Sequence, residues 1–158
     1  MIIKKSKAAQ VWFFPPYLVV FSLILSFALE YLFSSYPIVD VHAIQRITGV
    51  SIVILSIFIF VKSVRIFSSN LENLHPRSVS TQIFKDGPFK FSRNPIYLAM
   101  VLLIFGFGIS LNSMWFLIIG LIDMILLHYG IILPEEIYLE KEFGKDYLSY
   151  KSSVRRWL

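Results

Sequence analysis

Apolar residues dominate the chain in long stretches separated by short polar breaks, and the spacing of those breaks predicts helices that cross a membrane. A crossing helix needs about 20 mostly apolar residues to span a hydrocarbon core of about 30 Å. The first stretch runs from Val11 to Phe33, with Pro15-Pro16 near its start and Glu30-Tyr31 near its end. Lys4, Lys5 and Lys7 precede it, but it is long, rich in Phe and Leu, and lacks a small-x-small cleavage site. It therefore reads as a retained span and not as a cleaved leader. The second stretch covers residues 43–67, uncharged from Ile47 to Val61, with Lys62 and Arg65 placed where long basic side chains snorkel to the interface. Residues 68–94 are polar, include Pro76 and Pro88, and cannot lie in lipid, where their backbone groups would go unsatisfied.

Apolar sequence resumes at Pro95 and continues to Leu133, broken only by Leu111-Asn112-Ser113. That is too long for one crossing and suits two, residues 95–110 and 114–133, joined by a tight turn. Gly106, Gly108 and Gly120 are expected to let the two helices of this hairpin approach closely. From Pro134 the chain is charged and amphipathic, with Leu139 and Phe143 one helical turn apart. Pro134 followed by Glu135 and Glu136 is a favourable start for a separate helix.

Composition agrees with this pattern. Of 158 residues, 56% are apolar and 16% charged, against about 45–50% and about 25% in soluble domains. A soluble enzyme is excluded. The expected fold is all-α: a polytopic membrane protein with four transmembrane helices and a C-terminal amphipathic helix, forming a single domain over residues 1–158. Lysine and arginine cluster before the first span, in residues 62–93 and in the C-terminal tail, whereas the first outer loop has only Arg46 and the hairpin turn none. Basic loops stay on the cytoplasmic side, so both termini and the long polar loop are expected there. The net charge of +5 is absorbed by this asymmetry, and no nucleic-acid partner is expected. Cysteine is absent, which excludes disulfides, thiolate metal sites and a cysteine nucleophile. His42, His75 and His128 are scattered and make no metal site.

The candidate chemistry lies in two polar segments, residues 80–97 and 134–158, that face the same side of the membrane and bracket the hairpin. Gly87-Pro88 and Asn94-Pro95 are turn dipeptides that leave Arg93 and Asn94 at the mouth of the third span. A hairpin returns its exit close to its entry, so Arg93, Asn94 and Tyr97 should lie near Glu135 and Glu136. Singly, each has a plain explanation: an interfacial anchor, a belt tyrosine, a helix-start charge. Together they are costly at a bilayer surface without a polar ligand. Asp123, inside the fourth span, either pairs with a polar side chain in the bundle or touches substrate. His128, about 140° around the helix from it, does not share its face.

These residues resemble a known family. Gly87-Pro88-Phe89-x-x-Ser92-Arg93-Asn94-Pro95-x-Tyr97 is similar to the Gly-x-Tyr-x-x-x-Arg-His/Asn-Pro-x-Tyr signature of the isoprenylcysteine carboxyl methyltransferase family, with its related phospholipid methyltransferases. The tail, Pro134-Glu135-Glu136-x-x-Leu139-x-x-x-Phe143-Gly144-x-x-Tyr147-x-x-Tyr150-x-x-x-Val154-x-Arg156, resembles that family's ending. The resemblance runs from about Ser80 to the C-terminus. It implies a membrane-embedded enzyme that uses S-adenosyl-L-methionine in a cytoplasmic pocket, closed over by the C-terminal helix, with a lipidic acceptor arriving from the bilayer. Carried over, Thr81, Gln82, Ile83 and Phe84 would give backbone contacts to the cofactor and Phe89 a ring beside it. Asn94, Pro95 and Tyr97 would line the pocket, and Glu135 would hydrogen-bond the cofactor. Arg93 would hold the methionine carboxylate or order the loop, and Glu136 would accept a proton from an amine acceptor. Two positions depart from the prenylcysteine enzymes: Asn94 replaces their His, and Ile131 replaces the arginine assigned to the substrate carboxylate. The open acceptors are a carboxylate on a prenylated thioether, an amine phospholipid headgroup and a small hydrophobic thiol. Outside enzymes, the alternative is a membrane scaffold.

Overall fold

The computed structural model describes residues 8–33, 42–71, 75 and 78–158. Pro15 and Pro16, whose fixed φ suits a first helical turn, open α1 (Pro15–Leu32). It is followed by α2 (His42–Ser69), α3 (Pro95–Leu111), α4 (Met114–Leu127), α5 (Leu133–Phe143) and α6 (Lys145–Ser153). A short 3-10 turn, Gly87–Lys90, precedes α3, and a π-helical turn, His128–Ile132, joins α4 to α5. No strand occurs among the described residues. The expected all-α, multi-pass architecture is what the chain forms. α1, α2 and the continuous stretch Met114–Phe143 are each long and apolar enough to cross a membrane. In that last stretch residues 114–133 are the apolar part, and the chain is charged from Pro134 onward. α3, with 17 residues, is about 25 Å long at 1.5 Å per residue, slightly short of the hydrocarbon core.

α3 sits centrally, between α2 and α4, while α1 packs on α4 and α3. Close approach of α2 to α3 depends on glycine. A Cβ on Gly49 would lie 2.3 Å from the Ser110 backbone nitrogen, and one on Gly106 would lie 2.9 Å from that of Val53. Gly106 thus faces α2, a correction to its expected place in the hairpin. Gly108 and Gly120 do serve the hairpin, meeting Phe116 and Leu117 in one case and Phe105 in the other. On α2 the small buried residues Gly49, Ser56 and Ser63 recur every seven positions along one face, and Ile54, Ile57 and Phe58 point outward. Small residues inside and large apolar ones outside is the pattern of a lipid-exposed helix.

The hairpin turns at Asn112, which takes a left-handed φ of 57°, a conformation Asn tolerates better than most residues. Ser113 N–H donates to the Gly108 carbonyl at 2.9 Å and Asn112 N–H to that of Ile109 at 3.3 Å, closing the helix end in the Schellman manner. Asp123 resolves as a bundle residue: it is 1% exposed and accepts a 2.8 Å hydrogen bond from the Ser22 hydroxyl of α1. At the opposite end Ser113 also bonds the Glu30 carboxylate.

The expected break before Pro134 is not a break. Pro134 lies inside one long helix, and the π turn is how the helix passes it. A proline lacks the N–H that would reach the carbonyl four residues earlier, and its ring crowds that carbonyl. Here the affected carbonyl is Gly130, which instead accepts from the Trp12 main-chain N–H at 3.1 Å. The Leu133 N–H bonds the His128 carbonyl across the widened turn. Val11, expected at the start of the first span, belongs to this non-helical lead-in and is buried with Leu127, Ile131 and Tyr138.

Candidate functional site

Hairpin geometry brings the start of α3 and the start of α5 to the same end of the bundle, where α1 begins and α2 ends. Between them lies a cavity of about 260 Å3, near the lower end of the roughly 300–1,000 Å3 range of small-molecule sites. The Tyr97 hydroxyl donates to a Glu135 carboxylate oxygen at 2.8 Å. Residues 38 apart in sequence thus share one wall.

Of the residues singled out in the sequence, Gln82, Ile83, Phe84, Phe89, Arg93, Asn94, Pro95, Tyr97, Glu135 and Glu136 all line the cavity. Thr81 does not; its side chain is exposed. Aromatic rings form much of the wall. Phe84 stands 4.5 Å from Phe67 and 5.9 Å from Phe89, centroid to centroid.

The tail is fastened over this cavity by a buried ion cluster. Glu136 accepts from Arg93 Nη2 at 2.8 Å and from Arg156 through Nε at 2.9 Å and Nη2 at 2.8 Å. Arg93 also donates to the carbonyls of Lys151 and Val154 at 2.8 and 3.1 Å. Its Nε is buried with no protein partner. Asn94 spends its amide on the Arg156 carbonyl at 3.0 Å, and Tyr150 donates to the Phe89 carbonyl at 2.7 Å. Lys151 bonds Glu140 and stands 4.0 Å from Glu136.

The two neighbouring glutamates therefore sit in opposite environments. Burial pushes the Glu135 carboxyl up to about 8, only partly offset by the Tyr97 hydrogen bond. Burial also raises Glu136, but hydrogen bonds from Arg156 and Arg93 and both guanidinium charges outweigh it and hold that carboxyl below its ordinary value. Burial pushes the Tyr150 phenol up to about 12, so it remains a donor.

Several site residues escaped the sequence reading. His75, read as an isolated loop residue, lines the cavity and stacks on Phe14 with ring centroids 5.0 Å apart and 11° between planes. Tyr138 lines it too, and its hydroxyl accepts from the Ser80 N–H at 3.0 Å. Tyr147, Tyr150 and Arg156 stand in the quoted tail pattern and could have been found from its aromatic and basic spacing. Nothing local in the sequence points to Phe14 or His75. No group of three or more acidic or histidine side chains suited to a metal occurs among the described residues.

The described helices thus form a bundle with a partly polar, aromatic-lined cavity at one end, roofed by its own tail. The chain belongs to the phospholipid methyltransferase family, whose model matches residues 44–146, and it is thereby a membrane methyltransferase. An uncharacterized protein of Haemophilus influenzae is 38% identical over 63 residues, which are 40% of this chain and the whole of that protein. No solved structure matches the chain.

Proposed function

We propose that the cavity binds S-adenosyl-L-methionine and that its methyl group passes to the amine headgroup of a membrane lipid. The observation that carries this reading is the pairing of Tyr97 with Glu135 at 2.8 Å inside an aromatic cavity whose lining guanidinium, that of Arg93, is committed to Glu136. A carboxylate acceptor would call for a free cation, whereas an amine suits rings and a carboxyl group. Ile131, 0% exposed, stands where the prenylcysteine enzymes place such a cation.

The donor set fits the cofactor. Glu135 and Tyr97 offer an acceptor and a phenol for its hydroxyl or ammonium groups, Phe84 and Phe89 offer rings for its base, and the backbone of Gln82 to Phe84 borders the same space. When bound, the cofactor supplies a methyl carbon activated by a sulfonium. The protein's task is to align the acceptor nitrogen with that carbon, because orientation accounts for much of the acceleration of such a displacement. The C–N bond forms as the C–S bond breaks, and sulfur keeps the electron pair. The acceptor ammonium must shed its proton to water before it enters, because a dry site favours the neutral amine. No proton then remains for Glu136 to accept. Arg93 and Glu136 hold the tail over the cavity instead of acting on the acceptor. We further propose that residues 1–158 act as one domain with both termini in the cytoplasm, as the basic loops favour.

The test is to incubate membranes carrying the protein with radiolabelled S-adenosyl-L-methionine and identify the product. Label in amine phospholipid supports the reading. Label confined to base-labile methyl esters would overturn the acceptor, and no label above a Glu135→Ala control would overturn the activity.

A further inference from the structure

Residues 8–14 precede the first helix and carry none of the family's motifs, yet the segment packs beside the site and ends on its wall at Phe14. Ala9 and Val11 are 4% and 6% exposed and pack with Ile131 and Tyr138. Phe14 borders the cavity. Between them, the Trp12 N–H donates to the Gly130 carbonyl at 3.1 Å, the carbonyl that Pro134 cannot serve. The Trp12 side chain is 66% exposed, and its ring edge also lies against Gly130, where an added Cβ would stand 3.1 Å from Cε3, so the hydrogen bond has to be tested apart from the ring.

This bond sits where α4 hands over to α5. A π turn adds one residue to a helical turn, and one residue is worth about 100° of rotation. The turn at His128–Ile132 therefore sets the phase at which α5 leaves α4. With that phase, Glu135 meets Tyr97 and Glu136 meets Arg93 and Arg156. Rotated by one residue, neither carboxylate would reach its partner.

We propose that Trp12 is a positioning residue: its main-chain N–H, by taking the Gly130 carbonyl, fixes the π turn and through it the direction in which α5 presents Glu135 and Glu136 to the cavity. The inference rests on the methyl-donor reading for its functional consequence, but not for its structural one.

The test compares Trp12→Pro, which removes the N–H, with Trp12→Ala, which keeps it, and adds Trp12→Pro/Pro134→Ala. Pro134→Ala restores a main-chain N–H that can donate to Gly130 in ordinary α geometry, so the double variant should recover the thermal midpoint of Trp12→Ala. It should not recover ligand affinity, because closing that bond removes the π turn. Titration of the solubilised full chain with S-adenosylhomocysteine should show at least fivefold weaker binding for Trp12→Pro than for Trp12→Ala. Should Trp12→Pro fail to fold, the double variant decides alone: folded with weakened binding supports the proposal, folded with the affinity of Trp12→Ala overturns it. Amide hydrogen exchange over residues 135–143 needs no ligand and should be at least tenfold faster in Trp12→Pro than in Trp12→Ala. Equal exchange in the two variants overturns the proposal. Faster exchange in a protein whose parent binds no S-adenosylhomocysteine would leave the positioning intact and remove the cofactor reading.

Discussion

Replacing Glu136 by Gln probes the cluster that closes the site. The side chain of Glu136 is 4% exposed and that of Arg93 7%, so little solvent screens this pair. Three donor contacts of 2.8–2.9 Å end on the one carboxylate. Removing the charge leaves two guanidiniums facing each other around a neutral amide. Breaking a buried pair by removing one partner costs about 3–5 kcal/mol, because the other charge stays buried, well above the roughly 0–1 kcal/mol of an exposed pair. Arg156 is 29% exposed and can turn to water, which favours the lower figure. At about 1.4 kcal/mol per tenfold change, the tail's opening equilibrium should rise at least about 100-fold. The cost should be local, since the α2–α3 and α3–α4 contacts do not involve Glu136. The assay is amide hydrogen exchange of the detergent-solubilised protein. Residues 145–158 should lose about two orders of magnitude of protection in Glu136→Gln, with α3 unchanged. Tail protection within threefold of the parent would refute the claim that this cluster holds the tail down.

Other expectations rest on the same geometry. Gly49→Ala would put a methyl group 2.6 Å from the Ser110 Cα; backbone cannot yield as a side chain does, so at roughly 2 kcal/mol or more of overpacking the thermal midpoint should fall by about 5 °C. The raised Glu135 carboxyl is favoured protonated, so its contribution is complete below the unfolded value of about 4.3 and lost as pH rises through about 8. The thermal midpoint of the ligand-free protein should therefore decline from about pH 4.3 to about pH 8 and level off above it, and Glu135→Gln should flatten that decline. Glu136 behaves oppositely: its depressed carboxyl stabilises above the unfolded value, and tail protection should collapse only as pH falls below about 4. Arg93→Ala should weaken S-adenosylhomocysteine binding while leaving membrane insertion intact, measured by ligand titration and by extraction from alkali-washed membranes.

Much of this was legible in the sequence because membrane spans report themselves by length. The break at Leu111-Asn112-Ser113 forced a hairpin, and the hairpin forced Tyr97 towards Glu135. What sequence could not show was phase and partner choice. Pro134 after an apolar run reads as a helix start, since a proline inside a helix is costly; only the Trp12 N–H, more than a hundred positions away, makes the continuous helix workable. Gly106 looks like a hairpin residue beside Gly108, yet residues two apart on a helix face different neighbours, and its neighbour is α2. Arg93 and Glu136 were visible as charges at the site. That they are spent on each other, with Arg156 folding back from the tail onto the same carboxylate, is a set of contacts no local spacing reveals.

Isothermal titration of the solubilised chain with S-adenosylhomocysteine probes the shared cavity most directly. Saturable one-to-one binding that Glu135→Ala reduces at least tenfold and Tyr97→Phe reduces severalfold is the predicted result. Binding that ignores both substitutions would place any cofactor elsewhere and contradict the account.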